Sequence, residues 1–260
     1  MIRLLCSLAL LLCTSSPAPR AVAVFHRPIV RVGANQSNNW SGYNQGTLEK
    51  GNVQFHRVSS TWTVPTATQH TPRVAESSAT WVGIGGGCID AGCTVTDATL
   101  IQAGTSQNVD ANGTASYDAW WELIPAPSIT ISNFAVRAGD VMFVDINETL
   151  PGLWTITVTN RTTGRTFAQT TPYTSTYATA EWIEETPVVV DSSGNVGIAH
   201  MPNLGSVHFT GSQVNGHSAG LVASEEIQLV DSNKQVLATP SAPTGDAFND
   251  CTYTVSCAAP

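Results

Sequence analysis

The stretch Ala178–Pro187 reads ATAEWIEETP and sets a carboxyl group, Glu181, in a short apolar run. On a β-strand, side chains alternate between two faces. Glu181 then shares a face with Ile183, while Ala180 and Trp182 point the other way. A carboxylate beside an isoleucine costs free energy unless it is paired or put to use. The stretch Ser116–Ile124, SYDAWWELI, repeats the anomaly. Alternation gathers Tyr117, Ala119, Trp121 and Leu123 on a face of ordinary core character, and Asp118, Trp120, Glu122 and Ile124 on the other. A solvated face rarely carries Trp and a buried one rarely carries two acids. The floor of a binding cleft accommodates both; an exposed sheet face with one stray aromatic is the plainer reading. Gln102, in the stretch TLIQAG, shares a strand face with Leu100. Taken alone, it reads as an amide hydrogen-bonded to a neighbouring strand or loop.

Other chemical signals are weaker. Gly216-His-Ser-Ala-Gly220 matches G-x-S-x-G, but no histidine follows His217 and no strand–turn–helix pattern surrounds it. The histidines at 26, 56, 70, 200, 208 and 217 lack metal-ligand spacing and read as surface or hydrogen-bonded residues. Ile84-Gly-Gly-Gly87 lacks the lysine of a phosphate loop and reads as a sharp backbone turn before Cys88. The pattern calls for no cofactor and no metal.

The elements that must position these residues are strands. Short runs rich in Val, Ile, Thr, Trp and Phe recur between turn residues, among them Gln54–Thr63, Ser78–Ile84, Val141–Glu148, Trp154–Asn160 and Arg165–Thr170. No amphipathic helix stands out. Asn160–Arg165, with Gly164, and Asp231–Lys234 read as hairpin turns. Thr239–Asp250 is rich in Pro, Gly and Ser and reads as a surface loop. About a dozen strands with short connections predict an all-β protein, a sandwich or barrel in one domain.

The chain has 260 residues, a net charge of −8 and only two lysines, Lys50 and Lys234. Such a surface repels nucleic acid and anionic membranes, so neither is an expected partner. Residues 1–23 read as a signal peptide: Arg3, an apolar run from Leu4 to Cys13, and the Ala21-Val-Ala23 cleavage pattern. Residues 24–37 read as an unstructured leader or short prosegment, and residues 38–260 as the single folded domain. A secreted, extracellular protein follows, with a monomer as the default state. Four cysteines remain beyond the signal: Cys88, Cys93, Cys251 and Cys257. Three pairings are possible, and Cys88–Cys93 with Cys251–Cys257 closes the smallest loops. Zinc would need tighter ligand spacing.

Seven pieces in order resemble one family, the glutamic peptidases or eqolisins. They are Asn39-Trp-Ser-Gly42, Ser60-Thr-Trp-Thr-Val-Pro65, Thr80-Trp-Val-Gly-Ile84, Leu100-Ile-Gln-Ala-Gly104, Tyr117-Asp-Ala-Trp120 with Glu122, Ala180-Glu-Trp-Ile183, and Leu204-Gly-Ser-Val-His-Phe209. The resemblance implies two antiparallel sheets packed as a concanavalin A-like sandwich, and an endopeptidase active in acid on protein or peptide substrates. By position it makes Gln102 and Glu181 the catalytic pair, with Trp40, Trp81, Asp118, Trp120 and Glu122 lining or supporting the cleft. This chain departs from the family at Gly85, Leu123 and Ile124, and in a longer stretch between Trp81 and Gln102. A lectin-like carbohydrate-binding module or a glycoside hydrolase on the same sandwich is the rival expectation, with Asp118, Trp120 and Glu122 as its sugar site.

Overall fold

The computed structural model describes residues 23–33, 35–190 and 193–260, and the signal-peptide reading falls almost wholly outside them. Among the described residues the structure is β throughout, apart from one 3-10 turn at Ala223–Glu225. Five strands carry the residues singled out above: β1 (Trp40–Gly46), β2 (Glu76–Gly85), β3 (Leu100–Val109), β4 (Ala115–Leu123) and β5 (Thr179–Glu185). They pair antiparallel in the spatial order β1, β5, β2, β3, β4.

A second sheet runs from Arg165–Pro172 through Leu153–Asn160, Val141–Leu150, Arg57–Thr63, Ser206–Val214 and Phe248–Thr252 to Val236–Pro240. The strand Glu226–Val230 pairs with both β1 and Val236–Pro240, and so joins the two sheets.

The sheets pack face to face as a sandwich. One face of the first sheet supplies Val82, Ile84, Ile101, Ala103, Ala119, Ala180 and Trp182, which meet Val58, Trp62, Met142, Val144, Ile156, Val207 and Phe209 of the second. These residues alternate along their strands, which is why the two-residue period leaves every second side chain for the opposite face. Two of the buried indoles are satisfied across the interface: Trp62 Nε1 donates to Thr105 Oγ1 at 3.1 Å and Trp182 Nε1 to the Ser59 carbonyl at 3.1 Å.

The strand pattern agrees with the expectation in most places, including the Asn160–Arg165 turn, where Gly164 has φ +73°. Both small-loop disulfides are present, Cys88–Cys93 and Cys251–Cys257. Two expectations need correction. The reading of Thr239–Asp250 as a loop misses a strand, Phe248–Thr252, whose Phe248 is buried among Tyr43 and Phe209. Nor is the stretch before Asn38 unstructured. Ala23–Phe25 pairs with Val188–Val190, and Arg31–Gly33 and Gln36–Ser37 are short strands as well. Its strand pairings and hydrogen bonds to the first sheet supply the order that its composition does not announce.

Candidate active site

The opposite face of the first sheet gathers the unusual polar residues into one row. Glu181 on β5 pairs with Gly83 on β2, and Gly83 pairs on its other side with Gln102 on β3. Gln102 in turn pairs with Glu122 on β4, and Glu181 with Asn44 on β1. Residues in register on adjacent antiparallel strands share a face. The row therefore reads Asn44, Glu181, Gly83, Gln102, Glu122. Glu181 and Gln102 lie two strand spacings apart, roughly 10 Å between Cα atoms, and the residue between them has no side chain.

Around this row stand Trp40, Trp81, Leu100, Trp120 and Ile183, a second apolar cluster distinct from the sandwich core. All five expected cleft residues lie on this face: Trp40, Trp81, Trp120 and Glu122 are buried, and Asp118 is partly buried. Trp40 meets Trp81 edge-on at 4.9 Å.

Hydrogen bonding orients the amide. Gln102 Nε2 donates to Glu122 Oε2 at 2.7 Å, while its Oε1 has no protein partner. Both oxygens of Glu181 also lack one, as do the indole nitrogens of Trp40 and Trp120. Buried polar atoms are nearly always satisfied; of the seven without a protein partner among the described residues, these five lie on this face, and the others are Glu184 Oε1 and Asp250 Oδ2. Burial pushes the Glu181 carboxyl well above the usual carboxylate range; the Thr179 hydroxyl opposes this and Asp97 adds to it. An ionised, unpartnered carboxylate in such a place costs several kcal/mol, so burial favours the protonated form of Glu181. Burial likewise raises Glu122 to about 7, against the opposing influence of His26 and with a further push from Glu185.

The resemblance implied a cleft at the pair, and the structure differs. Gln102 and Glu181 are both 0% exposed. Two segments of the chain cover their face. The first is Val24–Val30, which crosses the face as a strap. His26 stacks on Trp120 with centroids 3.8 Å apart and planes 11° from parallel. Its Nδ1 donates to Glu185 Oε2 at 2.9 Å, an oxygen that also accepts from Trp81 Nε1 at 2.9 Å. The strap's far end is held where Ile29 N donates to the Gly86 carbonyl at 2.9 Å and Val30 N to Asn39 Oδ1 at 2.7 Å. Burial works against charge on His26, but Glu185, helped by Glu122 and Asp118, outweighs it and raises the imidazole pKa. The second cover is the loop after β2, closed by the Cys88–Cys93 disulfide.

Beside the strap the face stays open. A cavity of about 460 Å³ lies elsewhere, but one of about 330 Å³ adjoins His26 and is lined by Ser106, Asn108, Asp118, Trp120 and Thr130. His26, Glu185 and Asn44 were not singled out from the sequence. Alternation did carry a signal for Glu185, which follows Glu181 and Ile183 on the same face of β5. The rejected G-x-S-x-G stretch forms a small hairpin with exposed His217 and Ser218.

An all-β sandwich with a carboxyl and a carboxamide aligned on one sheet face, amid tryptophans, has the make-up of a glutamic-type peptidase. The chain belongs to the Peptidase A4 family, whose profile matches residues 38–253. Its sequence is similar to that of aspergillopepsin-2 from Aspergillus niger, 26% identical over 172 residues. That match covers 64% of this chain and spans 56% of the relative's length. Its fold is similar to that of scytalido-glutamic peptidase, solved with a transition state analog inhibitor, with a TM-score of 0.62 and 21% identity over 83% of this chain and 98% of that one. It is also similar to aspergilloglutamic peptidase from Aspergillus niger, with a TM-score of 0.52 and 27% identity over 69% of this chain and 99% of that one.

Proposed function

We propose that this chain is a secreted endopeptidase that hydrolyses peptide bonds in acid, with Glu181 as general base and then general acid, and Gln102 as the group that holds the water and stabilises the oxyanion. The observation that carries the proposal is the register of Glu181, Gly83 and Gln102. Gly83 has an acid on one side and an amide on the other.

Peptide hydrolysis needs an activated water, a stabilised oxyanion and a proton for the leaving amine. Ionised Glu181 takes a proton from water as the water oxygen bonds to the scissile carbonyl carbon. Gln102 keeps one N–H on Glu122, which leaves the second for the developing oxyanion and Oε1 for the incoming water. Donors of this kind are worth roughly 3–4 kcal/mol. The C–N bond then breaks as protonated Glu181 returns its proton to the departing nitrogen. A neutral amide keeps its donors in acid, where a second carboxylate would change state.

The strap fits the same reading as an intramolecular occupant of the groove. With Val24–Val30 in place, a peptide has no route to the row. Residues 24–37 accordingly act as a short prosegment that must leave, by movement or cleavage, before a peptide can reach the row. Residues 1–23, as a signal peptide, and the two disulfides agree with export. A casein digest at about pH 3–4, run beside a polysaccharide assay, tests the proposal. Casein is cleaved by the wild-type chain and not by Glu181→Gln; polysaccharide cleavage instead would overturn the reading.

A further inference from the structure

The loop after β2 presses its backbone directly onto the Glu181 carboxyl. A Cβ on Gly87 would stand 2.6 Å from Glu181 Oε1 and 1.7 Å from Asn44 Oδ1, so only glycine fits. Asn44 is Glu181's register partner on β1. Its amide bonds the loop at both ends: Nδ2 donates to the Cys88 carbonyl at 2.9 Å, and Oδ1 accepts from the Cys88 N–H at 2.9 Å. Two residues along β1, a Cβ on Gly46 would stand 2.3 Å from the Ile89 carbonyl oxygen and 2.6 Å from that of Cys88. The loop thus lies flat on the strand, and the amide plugs into its backbone from below. From above, the Cys88–Cys93 disulfide and the Asp97 N–H, which donates to the Gly87 carbonyl at 2.9 Å, hold the same turn. These contacts are made within the loop and to β1 and not by the strap, which touches the loop beside them, where Ile29 N donates to the Gly86 carbonyl at 2.9 Å and Ile29 packs in one apolar cluster with Cys88 and Cys93.

We propose that Asn44 is a positioning residue for the reaction: through its paired hydrogen bonds to Cys88 it pins the Gly87 backbone against Glu181 and keeps water off that side of the carboxyl. The inference rests on Glu181 being the base. Asn44 acts through the loop, because both its amide nitrogen and its amide oxygen bond the Cys88 backbone. Its effect falls on how readily Glu181 holds a proton. The groups facing that carboxyl are Asn44 from β1, Thr179 from its own strand, Gln102 across Gly83, and the Gly87 backbone and Asp97 from the loop. A carboxyl shielded by backbone protonates more readily than one reached by water. The clamp therefore sets the lower edge of the pH range in which Glu181 can act as base.

The test uses the full chain and the pH dependence of kcat/KM on an internally quenched peptide. Asn44→Ala loosens the loop and admits water, and the acid limb moves to lower pH by about one unit. Asn44→Asp keeps the acceptor for the Cys88 N–H but sets a second carboxyl beside Glu181, and the limb moves up. A merely structural role would lower the rate by one factor at every pH and leave both limbs in place. If Asn44→Ala fails to fold, the Cys88→Ser/Cys93→Ser double variant releases the loop from above and shifts the limb in the same direction. Limbs superimposed on wild type in all folded variants would overturn the proposal. Activity surviving in Glu181→Gln would instead remove the base assignment on which it stands, so the two failures are distinguishable.

Discussion

Glu181 and Gln102 face each other across Gly83, each paired in register with that one glycine from opposite sides. The spacing follows from strand geometry rather than from any loop, and a sheet flanked on both sides is a stiff mount for a reacting pair. Under the proposed mechanism it also makes Gly83 a functional position. A Cβ there would stand 2.9 Å from the Trp81 ring and 3.0 Å from Leu100 Cδ1. Gly83→Ala is expected to cost about 1–3 kcal/mol in stability and to lower kcat/KM by at least tenfold, because Trp81 and Leu100, on the same face as Glu181 and Gln102, must shift to admit the methyl group. Calorimetry beside peptide cleavage checks both effects; an active variant would show that the gap is not where the chemistry happens.

The strap gives a second expectation. His26 joins it to the face by a ring stack on Trp120 and a hydrogen bond to Glu185. A charge-assisted hydrogen bond of this kind contributes roughly 2 kcal/mol. His26→Ala should raise the population of the uncovered state by about 30-fold. A shorter lag, or a higher initial rate on peptide, is the expected result in a progress curve. A lag as long as that of wild type would mean that the rest of the strap holds it unaided.

Acid is also where the fold itself should be most stable. Asp250 is fully buried, accepts from Ser41 at 2.9 Å, and is raised by burial to about 7. Glu184, also buried, accepts from Thr80 at 2.6 Å and is raised well above its usual range for the same reason. Folded pKa values above the unfolded ones mean that the folded state binds more protons, so stability falls as pH rises. For Asp250 the loss begins near pH 4 and is complete just above pH 7, on the order of 4 kcal/mol in all. The urea midpoint should fall between pH 4 and pH 7, and Asp250→Asn should flatten part of that fall. A midpoint rising over this range would contradict the burial argument.

Much of the site was legible because a two-residue period leaves a record. Asp118, Trp120 and Glu122, and Glu181 with Ile183, could be assigned to one face from alternation alone. The disulfides closed the smallest loops available. The strap was not legible. It is short, carries Pro28 and no period, and takes its order from contacts with strands far along the chain. The burial of His26 therefore has no local signature. Asn44 was hidden for a related reason: its partners are backbone groups of a loop 44 residues later. The strand Phe248–Thr252 follows a stretch whose turn-forming composition masked its start.

The central claim is that one acid and one amide act on one water. A double-mutant cycle of Glu181→Gln and Gln102→Ala, measured as kcat/KM on peptide at acid pH with folding verified by circular dichroism, tests it most directly. The account predicts that each single variant loses at least a hundredfold, and that the double variant loses little more than the worse of the two, as groups serving one step do. Near-normal activity in either folded single variant, or losses that multiply as independent sites would, would contradict it.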